Sequence, residues 1–176
     1  QDFVDVFEKA EKNNDELICI LLSSRISGTF QSATLAKSIV DYEKIHLIDS
    51  LSATHGIRLL AEHAQNLVNE GKTAEEIVAE LEVLKTKIKI LAVVDTLEYL
   101  CKGGRVSRTT AAIGEMAKVK PMITVNEGEV AVIGKSLGKN KAIGSLLKAL
   151  GECEVDHRFP MYSVSTLGTE NCEVLE

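Results

Sequence analysis

The sequence predicts an α/β protein: a parallel sheet with helices on both faces, followed by a second α/β domain containing antiparallel strands. Three observations carry this. Apolar runs of strand length at 17–22, 45–48 and 88–94 alternate with segments whose apolar residues recur every three or four positions. Strands separated by helices pair in parallel, because such a connection needs a crossover. Past Asp95-Thr96 the pattern changes to two short helices, after which the runs 120–125 and 129–133 flank Asn126-Glu127-Gly128 as an antiparallel hairpin would. With 176 residues, 45% of them hydrophobic, the chain can enclose one good-sized core or two small ones. We place the domain change near 86–95, giving a domain at 1–90 and another at 91–176.

The elements follow in order. Phe3, Val6, Phe7 and Ala10 share a helical face that Asn13-Asn14-Asp15 ends. After the strand at 17–22, the positions Phe30, Ala33, Ala36, Lys37 and Val40 predict a helix over 29–40. The strand 45–48 ends at Asp49-Ser50. Ile57, Leu60, Ala61, Ala64, Leu67 and Val68 then form a long apolar stripe over about 53–70, stopped by Gly71. Thr73 with Glu76 three residues on is a capping box, opening a helix with Ile77, Leu81 and Leu84. The strand 88–94 ends at Asp95-Thr96. A short helix over 96–101 closes at Lys102-Gly103-Gly104, and a second is expected at about 109–117. After the hairpin, Ile143, Leu146, Leu147 and Leu150 mark a helix. Pro160 precedes a last predicted strand at 161–165, and a helical pattern starts at Thr169.

Composition excludes several functions. The net charge of −6 gives no general affinity for nucleic acid, and no basic stripe carries interleaved aromatics. Lys135, Lys139 and Lys141 read as a solvated face that could also meet an acidic partner. Cys19, Cys101, Cys153 and Cys172 are scattered without a C-x-x-C pair, which suits a reducing cytoplasm. No apolar stretch reaches the roughly 18 residues of a membrane span, so no stable membrane insertion is expected, and no signal peptide opens the chain. Gln1 in place of Met makes processing or truncation the expectation. His46, His55, His63 and His157 lack metal-ligand spacing, and His55 and His63 are expected to be exposed. Tyr99 and Phe30 are expected in the core. Nucleotide fingerprints and a G-x-S-x-G elbow are absent.

The candidate chemistry lies in two places. A buried strand that breaks into Ser23-Ser24-Arg25-Ile26-Ser27-Gly28-Thr29 and re-emerges as a helix presents unpartnered amides and a positive dipole end. Such a turn suits a phosphate or a carboxylate, although Ser27 or Thr29 could equally just cap the helix. The second place is Gly103-Gly104-Arg105, where a sharp bend is followed by a fixed cation with a planar fork. Both features flank the proposed domain change, and clefts between domains commonly hold ligands. Asp49 and Asp95 also fall at the carboxyl ends of strands, where open α/β sheets bind ligands, or they act as helix caps. A reading from these residues alone is a small phosphotransferase or hydrolase using the Ser-rich turn with Asp49 or Asp95.

Five segments in this order resemble the DegV family of bacterial fatty-acid-binding proteins. They are Ser23 through Ala33, Asp49-Ser50, Asp95-Thr96-Leu97-Glu98-Tyr99-Leu100 running into Gly103-Gly104-Arg105-Val106-Ser107, Lys120-Pro121, and Lys135 through Lys141. The resemblance implies a two-domain protein with an apolar tunnel between the domains for one long-chain fatty acid. It also implies a fatty acid kinase subunit as partner, to which the acid is presented, and no catalysis, cofactor or metal of its own. By the family's motif Ser27 would hydrogen-bond the carboxylate, with Gly28 and Thr29 beside it and Arg105 close to the head group. Burial of each methylene is worth ~0.8 kcal/mol, so the tail would dominate affinity and the polar end would set orientation. The family's Thr-Ser-Gln and His-x-Gly-Pro-Gly motifs do not occur here, which makes a partial chain the expectation. Leu137 also stands in the basic loop where the family often has Arg.

Overall fold

A computed structural model describes residues 1–107 and 118–166. The first unit runs α1 (Asp2–Asn13), β1 (Leu17–Leu21), α2 (Thr29–Val40), β2 (Ile45–Asp49), α3 (His55–Asn69) and α4 (Ala74–Leu84). Strands β1 and β2 pair in parallel, with Leu17 opposite Ile45 and Leu21 opposite Asp49. Alternation along the strands sends side chains to two faces, and each face is closed by a pair of helices. On one, Ile48 packs with Leu60, Ala64 and Leu67 of α3 and Ile77 and Leu81 of α4, joined by Ile18 and Ile20. On the other, Ile45 packs with Phe7 of α1 and Ala33 and Ala36 of α2, joined by Leu17, Cys19, Leu21 and Leu47. The expected helices on both faces are therefore present.

Local chemistry ends these helices where the sequence predicts. Asn14 takes the left-handed conformation at φ 59°, and the following amide of Asp15 reaches back to Ala10 O at 2.9 Å. Gly71, at φ +81°, closes α3 while Lys72 N–H donates to Leu67 O. The capping box at α4 is complete. Thr73 Oγ1 accepts from Glu76 N–H at 3.3 Å, and Glu76 Oε2 accepts from Thr73 N–H at 2.9 Å.

The second unit runs β3 (Leu91–Val93), α5 (Glu98–Lys102), β4 (Val119–Asn126), β5 (Glu129–Leu137) and α6 (Lys139–Gly151). Its sheet has the order β3-β4-β5 and is antiparallel throughout. Asn126 faces Glu129 across a two-residue turn in which Glu127 (φ 47°) and Gly128 (φ +85°) are both left-handed, the geometry a tight hairpin needs.

Four expectations need correction. The strand foreseen at 88–94 contracts to Leu91–Val93, because Ile88 packs into the α3/α4 core instead of joining a ladder. β3 also leaves the parallel sheet, so Asp95 does not end a strand of the same sheet as Asp49. No strand forms at 161–165: this segment is held by side chains of α3, with Arg58 4.8 Å from the Tyr162 ring centre and the Tyr162 hydroxyl donating to Glu62. Phe159 and Tyr162 cover the two helical histidines, which are half-buried where exposure is expected. His55 lies 5.3 Å from Tyr162, and His63 meets Phe159 edge-on at 5.1 Å while bonding Glu80 at 2.7 Å. Tyr99, expected in the core, is 76% exposed on a helix of only five residues, while Phe30 is half-buried. The helical patterns expected at 109–117 and from Thr169, together with Cys172, lie outside the described residues.

Candidate functional site

The site grows from the end of β1. Where the strand stops, the chain turns on itself through Ile26 N–H and Ser27 N–H, both donating to Ser23 O at 3.1 and 3.0 Å. The Ser27 hydroxyl lies 2.7 Å from Thr29 Oγ1 and accepts the Thr29 amide at 3.2 Å. The residue at the cap position of α2 is Gly28, whose carbonyl receives Ser32 N–H at 3.0 Å. Neither Ser27 nor Thr29 is the cap, and the next two amides, of Phe30 and Gln31, have no acceptor among the described residues. The helix start thus keeps two donors and its positive dipole end uncommitted.

The loop after β2 locks this turn in place. Asp49 Oδ1 accepts from Ser24 N–H at 3.1 Å and from Leu51 N–H at 3.2 Å, and Ser23 N–H donates to Ser52 O at 3.0 Å. Asp49 is therefore a brace between two loops, not a helix cap. Strain gathers in this loop: Leu51 and the β-branched Thr54 both have positive φ, at 49° and 47°. Ser52 Oγ is buried without a partner among the described residues and sits 2.0 Å from where a Cβ on Gly56 would be, so a side chain at that point of α3 would have to turn this hydroxyl aside.

The second unit contributes from two directions. From the turn after α5, Arg105 Nε donates to Ile26 O at 2.8 Å, and Nη1 donates to Gly103 O. This puts the guanidinium beside the residue that precedes Ser27, and Nη2 has no acceptor among the described residues. From the hairpin, Gly128 O accepts the buried Ser23 hydroxyl at 2.7 Å, and Arg25 pairs with Glu129 at 2.9 Å. A Cβ on Gly128 would stand 2.5 Å from Ser23 Oγ, so this contact requires glycine for space as well as for its φ. Ser27, Gly28, Thr29 and Arg105 are thus brought to one place. Sequence reasoning missed the latch of Ser23 onto Gly128, since 105 residues separate the partners.

Asp95 serves elsewhere. Lys120 Nζ lies 2.5 Å from it, and that hydrogen-bonded ammonium, helped by Lys139, holds the Asp95 carboxyl below its ordinary range. At α5 the cap position is Leu97, and the hydroxyl of Thr96 just before it, not Asp95, accepts Glu98 N–H at 3.1 Å. Two concavities, of about 380 and 690 Å³, lie away from Ser27 and Arg105. Among the described residues no group of three or more His, Cys, Asp or Glu side chains could hold a metal ion, and no helix is long and apolar enough to cross a membrane.

Comparison with known proteins gives these features a context. Residues 1–172 match the family described as "Uncharacterised protein, DegV family". A DegV domain-containing protein of Caldanaerobacter subterraneus subsp. tengcongensis is 38% identical over 174 residues, which is 99% of this chain and 61% of that protein. Among solved structures, a fatty-acid-binding DegV family protein from Thermus thermophilus superposes with TM-score 0.76 at 33% identity, over 85% of this chain and 53% of the other. The Streptococcus pneumoniae Fatty Acid Kinase (Fak) B3 protein, loaded with linoleic acid, gives TM-score 0.77 at 28% identity, over 86% and 54%. The chain thus spans about three fifths of the curated relative's length.

Proposed function

The chain belongs to the DegV family, and on that premise we propose that it binds one long-chain fatty acid between its two units, domains 1–90 and 91–176. The carboxylate sits at Ser27-Gly28-Thr29 with Arg105 beside it. The observation that carries this is the Arg105–Ile26 bond, which sets a cation one residue from Ser27 and next to two uncommitted amides. A carboxylate leaving water needs such charge-assisted donors at one end and apolar walls along its tail. Solved relatives bind this ligand class, the Streptococcus pneumoniae protein holding linoleic acid. The finer reading is a non-catalytic carrier that presents its acid to a fatty acid kinase, without cofactor or metal. Cys19, Cys101 and Cys153 are free thiols, in keeping with action in the cytoplasm.

A phosphotransferase or hydrolase built on Asp49 or Asp95 is the weaker reading, because Asp49 braces two loop amides and Asp95 is paired with Lys120. The test is extraction of the purified full chain and mass spectrometry of bound lipid, followed by titration of the delipidated protein with palmitate and oleate. Stoichiometric acid in the extract is the expected result. A protein that carries none and takes up neither acid overturns the proposal.

A further inference from the structure

Helix α2 is apolar on two sides. Ala33 and Ala36 are buried against the sheet. On the opposite side Leu35 and Ile39, one turn apart, are 63% and 62% exposed. The other outward residues are Gln31, Ser32, Thr34 and Ser38, none of them charged. Three of these four spend their hydroxyl hydrogens on the helix itself. Ser32 Oγ donates to Gly28 O at 3.1 Å, Thr34 Oγ1 to Phe30 O at 2.9 Å and Ser38 Oγ to Leu35 O at 2.7 Å. Lys37, the one charged residue of α2, turns to the sheet and donates to Ile45 O. Among the described helices α2 alone presents an outward face without charge, in a chain with 20 basic and 26 acidic residues. A single exposed leucine is ordinary, but a surface emptied of charge has the composition of an interface core. A bilayer calls for cations around the apolar row, whereas neighbouring α1 exposes Asp2, Asp5, Glu8 and Glu11 beside Lys9 and Lys12. A different protein would be selected through complementary charge, and this face offers none. A second copy fits. Across a twofold axis the face meets itself, so any charge on it would confront its like. Two chains of net charge −6 repel, and a neutral face is where they can approach.

We propose that α2 pairs with α2 of a second copy across a twofold axis, the Gln31–Leu35–Ile39 row of each seated in the groove beside that row on the other. A helix of 12 residues is only about 18 Å long, so the contact is small and the association weak and reversible. The inference stands apart from the fatty-acid reading. The test is sedimentation velocity of the full chain at rising concentration, where a shift from monomer to dimer is expected. The double variants Leu35→Glu/Ile39→Glu and Leu35→Lys/Ile39→Lys set like charges face to face and should each associate about tenfold or more weakly. Their melting curves should match the wild type, since both positions are exposed and Glu and Lys suit a helix. An equal mixture of the two variants should form the dimer again, a result that only pairing of this face with itself gives. A wild-type chain that stays monomeric throughout overturns the proposal. So does a dimer that both variants retain, which would put the contact on another face, or a mixture no stronger than either variant alone. Monomeric protein that binds phosphatidylcholine vesicles, with binding lost in both variants, overturns it as well and assigns the face to a bilayer.

Discussion

Strands β1 and β2 send side chains to two faces, each closed by a helix pair, so that Phe7, Leu60 and Leu81 have no exposure at all. β5 is treated differently: Ile133 and Leu137 stay in solvent, and α6 covers the sheet with Ala142 as its one buried side chain among the described residues. The parallel unit leaves Leu35 and Ile39 of α2 exposed as well, but it buries large side chains between its sheet and both helix pairs and so makes a firm base from which the Ser23–Thr29 turn projects. The antiparallel unit keeps apolar residues outward and reaches the base through polar contacts, Ser23 to Gly128 and Arg105 to Ile26. The candidate site lies where the two halves meet, with Ser27-Gly28-Thr29 from one and Arg105 from the other.

That division can be broken in several ways. Leu81→Ala, opening a cavity between α4 and the sheet, should lower stability by about 2–5 kcal/mol in urea denaturation. Leu137→Ser should change it by less than about 0.5 kcal/mol, and equal losses would refute the contrast. Gly128→Ala sets a Cβ against Ser23 Oγ at a positive φ, and should cost about 1–3 kcal/mol of stability. It should also weaken fatty acid uptake, because it displaces the brace behind Ser27; a titration showing full affinity would remove the hairpin from the site. Ser27→Ala should cost about 1–2 kcal/mol of fatty acid affinity with a near-native melting temperature. Unchanged affinity by calorimetry would take Ser27 out of the site.

The smallest effect belongs to the Asp95–Lys120 pair. Because the folded-state pKa of Asp95 is depressed, its contribution is present above the ordinary aspartate value of 3.8 and fades as pH falls through the lower folded value. Asp95→Asn should therefore leave the melt at neutral pH nearly unchanged, since the carboxylate is 83% exposed. Carboxyl chemical shifts should show the depressed midpoint in the wild type and its return to normal in Lys120→Gln.

Local rules made most of the fold legible. Apolar period separates strands from helices at 17–84, Asn14 and Gly71 mark helix ends, Thr73 and Glu76 a beginning, and Gly128 a hairpin. Each of these signals works within a few residues. What depends on which margin accepts a strand was not legible. Residues 161–165 have strand composition, yet they lie on α3, because Tyr162 finds Arg58 and Glu62 there. Asp95 closes an apolar run much as Asp49 does, but β3 joins β4, and only three-dimensional pairing reveals that. Of the candidate site, Ser27 and Arg105 stand out in the sequence because each carries its own chemistry. Ser23 was not, since its role comes from a carbonyl 105 positions away.

The anchorage of Arg105 has a last consequence. Its fork is held by two peptide carbonyls, of Ile26 and Gly103, and no carboxylate pairs with it among the described residues. Peptide dipoles orient a guanidinium without neutralising it, so among the described residues the Arg105 charge is left without a counter-charge. An incoming anion would feel that pull before touching any side chain, while Asp49 and Asp95 are each tied to other groups. A lysine in the same place would keep the charge but lose the directed pair of N–H groups that aims it. Arg105→Lys is therefore the substitution most able to separate attraction from alignment.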